Sequence, residues 1–513
     1  MKKIVAFILA AVLLAGLFSG CSRQEDPYVP TGDALDVENN VSPTQNAAAG
    51  AMALAYYPNR SLNPFTCTDY TNKMVLSLIY QGLFTVDKNY QVTPMLCNGY
   101  RVSRDLRTYT FYVTQGATFS DGTTVTPQDV TASLEKAMES PVYSGRFSHV
   151  ESVQVLEDGG IEILLDTPYE NFPILLDVPI VKADQVDADA PLGTGPYMLE
   201  TVLNGLRLRR RTVWWCKSTD LLATGSYIPL TPVNSTVDIR NAFEAQSVNL
   251  VCTDPGSPTY AQFRCDYELW DCEADGFLYL VADIDSIVFS NPTVRKALTH
   301  AIDRDFLVDT YYRGFAQAAT LPASPNSPLY DKKLAQRYGY DPQILKDAIE
   351  DAGLTGAPIT ILLNSDDGTR LRVGRAIAKM LEECGLVVST LELTADQFLV
   401  HVEWSEYDLY LGQTKLSANM DLSEYFATDG SMHYFSLEDP AMYAMSLEAL
   451  ANSGNVYDLH RLVMEDGRLC PILFRSYGVY TQRGMLPELN ATRDNLFQYT
   501  IGVSMEDILL ENQ

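Results

Sequence analysis

The second half of the chain alternates short apolar runs with amphipathic segments, and this pattern predicts an α/β unit. A buried strand is predicted at 277–281, where the pattern changes. Apolar runs over 359–363 and 386–393 have the length of strands, and an amphipathic helix is predicted between them over 370–384. A strand–helix–strand order of this kind indicates parallel strands covered by helices. A further strand is predicted at 407–411.

The first half is richer in strand patterns and has shorter helices. Residues 109–113 alternate β-branched and aromatic side chains, and 151–156 and 161–165 predict a hairpin. Thr126 provides a hydroxyl cap for a helix predicted over about 127–139, since proline follows at the first helical position and a carboxylate at the third. The two halves therefore differ in architecture.

The N-terminus has the pattern of an export signal. Lys2 and Lys3 precede an apolar run over 4–18, which would form a helix of about 22 Å, shorter than the roughly 30 Å bilayer core. Two small residues before Cys21 resemble a bacterial lipoprotein signal, although Phe18 stands where leucine is usual. Lipidation of Cys21 and plain secretion both remain open. Residues 1–21 are predicted as signal peptide and 22–48 as a flexible tether.

Composition narrows the class of protein. The chain has 513 residues, of which 46% are hydrophobic and 20% charged, and this excludes a disordered or fibrous protein and suggests two to four structural units. The net charge of −28 argues against a nucleic-acid partner. Apart from Cys21, eight cysteines remain without a CxxC pair. A disulfide between Cys265 and Cys272 and buried free thiols are both possible readings.

No motif predicts catalysis, a metal site or a cofactor. The five histidines include no HExxH, and no GxSxG turn is present. Gly193-Thr194-Gly195-Pro196 lacks the third glycine of a phosphate loop, and its proline removes an amide donor. We therefore expect a tight turn there, followed by a strand from Tyr197.

Six segments of the chain recur in the order found in one known family. They are Leu62-Asn63-Pro64 with 79–84, 109–130, Gly193–Tyr197, 294–304, 340–353 and 385–388. Together they resemble the extracytoplasmic substrate-binding proteins of ABC importers, in the oligopeptide, dipeptide and nickel group called solute-binding protein family 5. The resemblance covers about residues 50–480.

The resemblance implies an α/β fold of the two-lobe periplasmic-binding-protein type (type II, cluster C), with a ligand cleft between the lobes. Lobe one would comprise 49–276 plus 475–513, with an inserted subdomain at about 66–190. Lobe two would comprise 277–474. Two hinge crossings join them, and the change of pattern near 277 coincides with the first.

The segment after the strand at 407–411 carries the main departure from peptide-binding relatives. Those proteins have a tryptophan followed by an aspartate that pairs with the peptide ammonium. Here Gln413 and Thr414 stand near the aromatic position, and Lys415 or Leu416 near the acid. Lys415 would attract a carboxylate or another anion, or else it is a solvated charge at a strand end. Asp421 could still serve through a shifted loop.

Other candidate site residues come from the same resemblance. Trp214 and Trp215 are expected on a strand, where adjacent side chains face opposite ways, so at most one of them would face the cleft. The abundance of tyrosine fits either aromatic cleft walls or packing. The candidate ligand-binding residues are Asn63, Phe65, Tyr143, Arg146, Trp215, Gln413, Lys415, Asn419, Asp421 and Tyr477.

The sequence thus predicts a non-catalytic receptor that captures a peptide or peptide-like solute by hinge closure and delivers it to an ABC permease. It would be a monomer without a cofactor, lipid-anchored at Cys21 on the extracytoplasmic face, and would work with permease and ATPase subunits. Two alternatives share the motifs: a sensory receptor for peptide signals, and a nickel or metal-chelate carrier of the same fold.

Overall fold

The computed structural model describes residues 35–36, 52–203, 205–216, 225–253, 263–428, 430, 437–492 and 494–511. The export signal and Cys21 lie outside the described residues. Within the predicted tether, Leu35–Asp36 pairs with Glu268 and Leu269. None of the helices in the described ranges is long and apolar enough to cross a bilayer.

Eighteen strands occur in the described chain. They are β1 Leu35–Asp36, β2 Leu54–Tyr56, β3 Phe84–Val86, β4 Val92–Pro94, β5 Cys97–Val102, β6 Thr108–Val113, β7 Val150–Val155, β8 Ile161–Leu165, β9 Tyr197–Val202, β10 Gly205–Arg210, β11 Tyr227–Pro232, β12 Leu250–Thr253, β13 Tyr267–Ala282, β14 Ala316–Ala318, β15 Pro358–Asn364, β16 Val387–Leu393, β17 Leu409–Lys415 and β18 Leu469–Gln482.

Twelve α-helices are described with them. They are α1 Tyr70–Leu76, α2 Pro127–Met138, α3 Thr236–Glu244, α4 Pro292–Ala297, α5 Arg304–Tyr311, α6 Lys332–Ala335, α7 Pro342–Asp351, α8 Gly368–Glu383, α9 Ala395–Glu403, α10 Ser423–Phe426, α11 Pro440–Ala451 and α12 Val456–Asp466.

The largest sheet runs in the order β12-β18-β13-β17-β15-β16, with β1 and β14 attached at β13 and β18. β15 pairs in parallel with β16 and β17, and α8 packs on them, which confirms the predicted strand–helix–strand unit. The apolar faces of α4, α5, α7 and α8 bury one core against this sheet. Burial of apolar side chains of this kind is the main favourable contribution to folding.

The longest strands, β13 and β18, pair antiparallel along most of their length. Both pass the predicted lobe boundaries, and their register shifts between Glu273 and Phe277, where β13 carries extra residues. A bulge bends a strand and increases its twist. β13 is longer than the predicted strand at 277–281, because the apolar run continues upstream through residues that alternate with acids. The lobe boundaries themselves stay a prediction.

The segment predicted as the insertion contains a separate antiparallel sheet in the order β5-β6-β8-β7. α2 covers it, and the predicted cap is confirmed: the Thr126 hydroxyl accepts from the Asp129 amide while the Asp129 carboxylate accepts from the Thr126 amide. The hairpin β3–β4 extends from the same region. These elements place the insertion beside both the hinge strands and the helices near 420–460.

Candidate functional site

β17 ends at Lys415, four residues beyond the predicted strand end. The prediction was wrong here because Gly412 and three polar residues continue the antiparallel pairing with β13 up to Gly276. Gln413 and Lys415 are therefore fixed on a strand rather than carried by a loop. The Gln413 side-chain oxygen accepts a hydrogen bond from the Arg475 guanidinium at 3.2 Å.

Arg475 lies on β18 beside the first turn of α8. Its guanidinium also donates to the Asp367 carboxylate at 3.4 Å, and Asp367 caps α8 by accepting from the amides of Thr369 and Arg370. Burial lowers the pKa of Arg370, and the neighbouring Arg475 charge lowers it further, although Asp367 opposes both. The Asp367 carboxylate therefore contacts the Arg475 guanidinium and also acts on the charge of Arg370.

Lys415 faces Asp494, a residue of the C-terminal segment that the sequence did not predict for the site. Its Nζ lies 3.9 Å from Oδ1 of Asp494, and the lysine side chain is 39% exposed. An ion pair that long and that exposed contributes little to stability. Lys415 therefore has a counter-ion that a ligand carboxylate can replace.

Arg146 holds Asp494 from the other side. Its guanidinium pairs with Asp177 and, at 2.5 Å, with Oδ2 of Asp494, and the arginine side chain is 4% exposed. The guanidinium also lies over the ring of Tyr143, 5.0 Å from its centroid. A ligand does not need to contact Arg146 for this residue to matter, since Arg146 fixes the carboxylate opposite Lys415.

Tyr70 lies near Asp494 and Arg475. Its side chain is 40% exposed, yet burial raises its pKa to about 12, and the charges of Asp494 and Arg475 act on its hydroxyl in opposite directions. Partial exposure together with strong desolvation is expected for a side chain lining a cleft. Its ring packs on Tyr477, with centroids 5.1 Å apart. We call Tyr70, Gln413, Lys415, Arg475 and Asp494 the cleft cluster.

Asn63, Phe65, Tyr143 and Tyr477 stabilise the lobe-one side of the cleft cluster. The Asn63 amide donates to the carbonyl oxygens of Val186 and Ala188 at 2.8 Å, and its oxygen accepts from the Phe65 amide. Phe65 is fully buried against the edge of Tyr143. The Tyr477 hydroxyl donates to the carbonyl of Thr492 at 3.0 Å. These polar groups are already satisfied by the protein.

A small cavity of about 70 Å³ adjoins the cleft cluster on that side. Tyr143, Asp177 and Asp494 line it together with Lys73 and Tyr499. The buried ion pairs of Arg146 therefore lie next to free volume, close to the exposed Lys415 ammonium. A bound solute could extend from the cleft cluster into this space.

Trp214 and Trp215 differ from their predicted arrangement. They lie in a loop, not on a strand, and both indole N–H groups donate to the carbonyl of Thr194, at 3.0 and 3.1 Å. Trp215 also reaches the side-chain oxygen of Gln81 at 3.0 Å. The loop conformation removes the alternation of a strand, so both rings point the same way.

Gly193–Pro196 packs closely on another chain segment, and the strand predicted to follow from Tyr197 is confirmed. The Gly195 amide donates to the carbonyl of Ile79 at 2.8 Å, and a side chain at Gly193 would come within 2.2 Å of the same oxygen. The Arg211 guanidinium donates to the carbonyl oxygens of Thr118 and Thr194. The close approach of two chain segments explains the glycines, and β9 begins directly after them.

Asn419 and Asp421 lie away from the cleft cluster, where the insertion meets the helices after β17. The Asp421 carboxylate accepts from the amide and hydroxyl of Ser423 and lies 3.6 Å from Nε2 of His149. Nδ1 of His149 is 3.0 Å from Asp166. Asp421 is thus engaged by the insertion, and the structure does not bring it together with Lys415.

The eight described cysteines are all free, and seven of them are buried. The possible Cys265–Cys272 disulfide is therefore absent, while the reading as buried thiols is confirmed. Burial raises the pKa of Cys272 well above its usual range. Across the described chain, His, Cys, Asp and Glu side chains form no group of three that could hold a metal ion.

Sequence reasoning missed Tyr70, Arg475 and Asp494. A lone arginine in the otherwise apolar run of β18 was a usable signal, because an unpaired charge on a buried strand needs a partner. Tyr70 and Asp494 carried no such signal. Their place in the cleft comes from long-range folding that brings α1 and the C-terminal segment to the hinge strands.

Comparison with known proteins identifies the family of the chain. The family model of bacterial extracellular solute-binding proteins, family 5 (middle), matches residues 91–432, well over half of the chain. The glutathione-binding protein GsiB of Salmonella typhi is 26% identical over 386 residues, which cover 72% of this chain and 75% of GsiB.

Solved structures support the same fold. NikA from Brucella suis in complex with Fe(III)-EDTA has a TM-score of 0.70 at 18% identity, with 88% of this chain and 99% of NikA covered. The oligopeptide-binding protein AppA from Bacillus subtilis, in complex with a nonapeptide, has a TM-score of 0.61 at 16% identity, with coverages of 88% and 98%. The predicted two-lobe fold class is confirmed, and the chain belongs to the bacterial extracellular solute-binding proteins of family 5, the substrate-binding components of ABC transporters.

Proposed function

We propose that the chain captures a peptide or peptide-like solute at the cleft cluster and recognises one carboxylate of that solute. The observation that carries the proposal is the arrangement of Lys415, Arg475 and Asp494. The Lys415 side chain is 39% exposed with its ammonium 3.9 Å from Asp494, and the Arg475 guanidinium contacts Gln413 and Asp367. Charged hydrogen bonds to a ligand carboxylate are worth about 1.5–3 kcal/mol each.

The cleft cluster also contains a ligand-accessible anion. An ammonium group of the solute would lie near Asp494, which also keeps its ion pair with Arg146. A zwitterionic solute would therefore satisfy both signs of charge in one recess. The ring of Tyr70 offers an apolar surface next to them. Peptides and their derivatives combine these three features.

Binding would close the hinge without any chemical reaction. Lys415 belongs to the predicted lobe two, while Tyr70 and Asp494 belong to the predicted lobe one. A solute that contacts both lobes binds the closed form more tightly than the open form, so the population shifts toward closure. The closed protein would then be recognised by a permease, and separate subunits would use ATP.

Anchoring and assembly follow from the sequence. We propose that Cys21 carries a lipid and holds a monomer on the extracytoplasmic face, with 22–48 as tether. Labelling cells with a fatty-acid analogue tests this: wild type should carry the label and Cys21→Ser should not. Label on the Cys21→Ser protein, or none on wild type, would contradict lipidation at this residue.

Calorimetry with matched solutes tests the ligand class. Glutathione, tripeptides and the same tripeptides with an amidated C-terminus would be titrated into wild type and Lys415→Ala. Loss of the lysine should weaken binding of the free acids about tenfold, which corresponds to 1.4 kcal/mol, and leave the amides unchanged. Lys136→Ala, which removes a surface ion pair with Asp187, is the matched control.

Two outcomes would overturn parts of the proposal. If free acids bind Lys415→Ala as tightly as wild type, Lys415 is not in the site. If no peptide binds wild type while another class of solute does, the ligand class is wrong although the receptor function stands.

A further inference from the structure

A second cavity lies between the insertion and lobe two, apart from the cleft cluster. It measures about 70 Å³, enough for several waters or one small ring, since a single water needs about 10–15 Å³. We call it the insertion cavity. Its walls include Tyr169 and Ile174 of the insertion with Met420, Leu450 and His460 of lobe two. No residue of the cleft cluster lines it.

His460 provides a polar group without a partner in this wall. The side chain is 1% exposed, and its Nδ1 makes no hydrogen bond within the described part of the chain. Burial lowers the pKa of His460 to about 4, although the charge of Asp331 opposes the shift. The ring is therefore neutral at pH 7 and offers one donor and one acceptor nitrogen. A buried polar atom left unpaired is costly, which points to an occupant.

Tyr169 adds a second neutral polar group. Its hydroxyl makes no hydrogen bond of normal geometry to the described residues, although the Asn419 amide is close enough to lower its pKa. Burial dominates and holds the pKa of Tyr169 well above its usual value, so the hydroxyl keeps its proton. Histidine nitrogen and tyrosine hydroxyl can together bind a single hydroxyl group of a ligand.

The carboxylates of the wall already accept hydrogen bonds from the protein. Glu170 accepts from the Ser453 amide at 2.8 Å, and Asp421 is held by Ser423 and His149. No lysine or arginine is among the lining residues. A negatively charged ligand would therefore be desolvated without a lysine or arginine to pair with, whereas a neutral one would not.

Contacts between the insertion and lobe two close the cavity. The Glu170 amide donates to the carbonyl of Leu450 at 2.8 Å, and Nε2 of His149 lies 3.1 Å from the Ser423 hydroxyl. The remaining wall is apolar, with Leu329, Val456 and Leu459 among its members. An occupant would touch both sides of this interface at once.

We propose that the insertion cavity is a second binding site, which takes a small uncharged molecule or solute group with an apolar body and one hydroxyl. The hydroxyl would pair with His460 and Tyr169, and the apolar body would fill the space beside Met420 and Leu450. Phenol is a suitable probe, and toluene is its matched control, because it has a similar size without the hydroxyl.

Methyl NMR of the full chain with labelled methionine tests the site directly. The Met420 methyl, assigned through Met420→Leu, should shift and saturate with phenol at a dissociation constant on the order of 1 mM, as expected for a fragment. The methyl of Met95, which lies near Trp215, should not move. Toluene should bind about tenfold more weakly. A Met420 signal that ignores phenol would overturn the site, and equal affinity for toluene would overturn the role of the hydroxyl.

Two variants separate the occupant from general effects on folding. Ala449→Leu fills the cavity and should abolish the Met420 shift, whereas Lys415→Ala should leave it unchanged. His460→Leu should remove the preference for phenol over toluene. If His460→Leu does not fold, Ala449→Leu and the comparison of phenol with toluene still test whether the insertion cavity is a binding site. A phenol response retained in Ala449→Leu would contradict the proposal.

Discussion

The cleft cluster and the insertion cavity are both formed where parts of the two predicted lobes meet, but from opposite kinds of side chain. In the cleft cluster, Lys415 is 39% exposed and its ammonium lies 3.9 Å from Asp494. In the insertion cavity, His460 is 1% exposed and neutral. Exposed charges that are loosely paired can exchange their partners for those of a ligand. A buried wall without a lysine or arginine favours neutral groups, which it selects by shape and by single hydrogen bonds.

Beneath the exposed Lys415, the cleft cluster is held in place by the buried ion pairs of Arg146. Arg146 lies between Asp177 and Asp494 with its side chain 4% exposed, and so Asp494 cannot move toward Lys415 without breaking a buried ion pair. The carboxylate is held in place while the lysine remains adaptable. Fixed groups beneath adaptable groups reduce the entropy lost when a ligand binds.

The largest effect on stability is expected from the buried ion pairs of Arg146. Arg146→Met removes the buried cation that pairs with both Asp177 and Asp494, so the free energy of unfolding should fall by about 3–5 kcal/mol in urea denaturation. Arg461→Met is the control, because Arg461 pairs with Asp458 and Glu465 on the surface of a helix. A loss no larger than that of the control would show that the buried network does not support the cleft.

The second largest effect on stability is expected in the wall of the insertion cavity. Leu450→Ala removes a buried side chain from the wall of the insertion cavity and enlarges it, so the protein should lose about 2–4 kcal/mol of stability. Because the cleft cluster does not share this wall, the affinity for the cleft solute should change less than threefold, by calorimetry. A large loss of affinity would mean that the insertion cavity and the cleft cluster are coupled.

Lys415→Ala should instead leave stability nearly unchanged and weaken the binding of carboxylate solutes. The long, exposed pair with Asp494 predicts a change in unfolding free energy of no more than about 0.5 kcal/mol, measured by the same urea titration. The effect on carboxylate solutes should exceed it, as argued above. A stability loss comparable with that of Leu450→Ala would identify Lys415 as a structural residue instead.

The smallest effect is a pH dependence of the contribution that His149 makes to stability. Burial opposes protonation of His149, but Asp421 and Asp166 together hold its pKa above the ordinary value of 6.5. Protonated His149 therefore stabilises the contact at low pH, and this contribution is lost as the pH rises through the folded-state pKa, above 6.5. The stability difference between wild type and His149→Gln should shrink between pH 6 and pH 9. A difference that stays constant or grows would contradict this assignment.

Local signals in the sequence predicted much of the fold. The cap at Thr126 and the strand–helix–strand unit around α8 follow from short-range patterns that packing reinforced. The end of β17 was missed because polar residues can continue an edge-to-edge pairing when the neighbouring strand supplies the hydrogen bonds, as β13 does up to Gly276. The strand expected at Trp214 and Trp215 rested on the family resemblance, and the structure has a loop there.

The candidate site was only partly predictable for a physical reason. Lys415 and Gln413 are close in sequence and lie together, but Asp494 and Tyr70 reach them from distant parts of the chain. Asp421, although close in sequence to Lys415, is drawn to His149 in the insertion. Ion pairs between distant segments depend on the complete fold, so local sequence patterns do not predict them.

The central claim is that a solute bridging the cleft cluster closes the two lobes on the hinge strands β13 and β18. Small-angle scattering of the purified protein, with and without a solute shown by calorimetry to bind, measures this closure directly. The radius of gyration should fall on binding in wild type, and Lys415→Ala should require a higher concentration of a carboxylate solute for the same change. Identical scattering profiles for free and fully saturated protein would contradict the account.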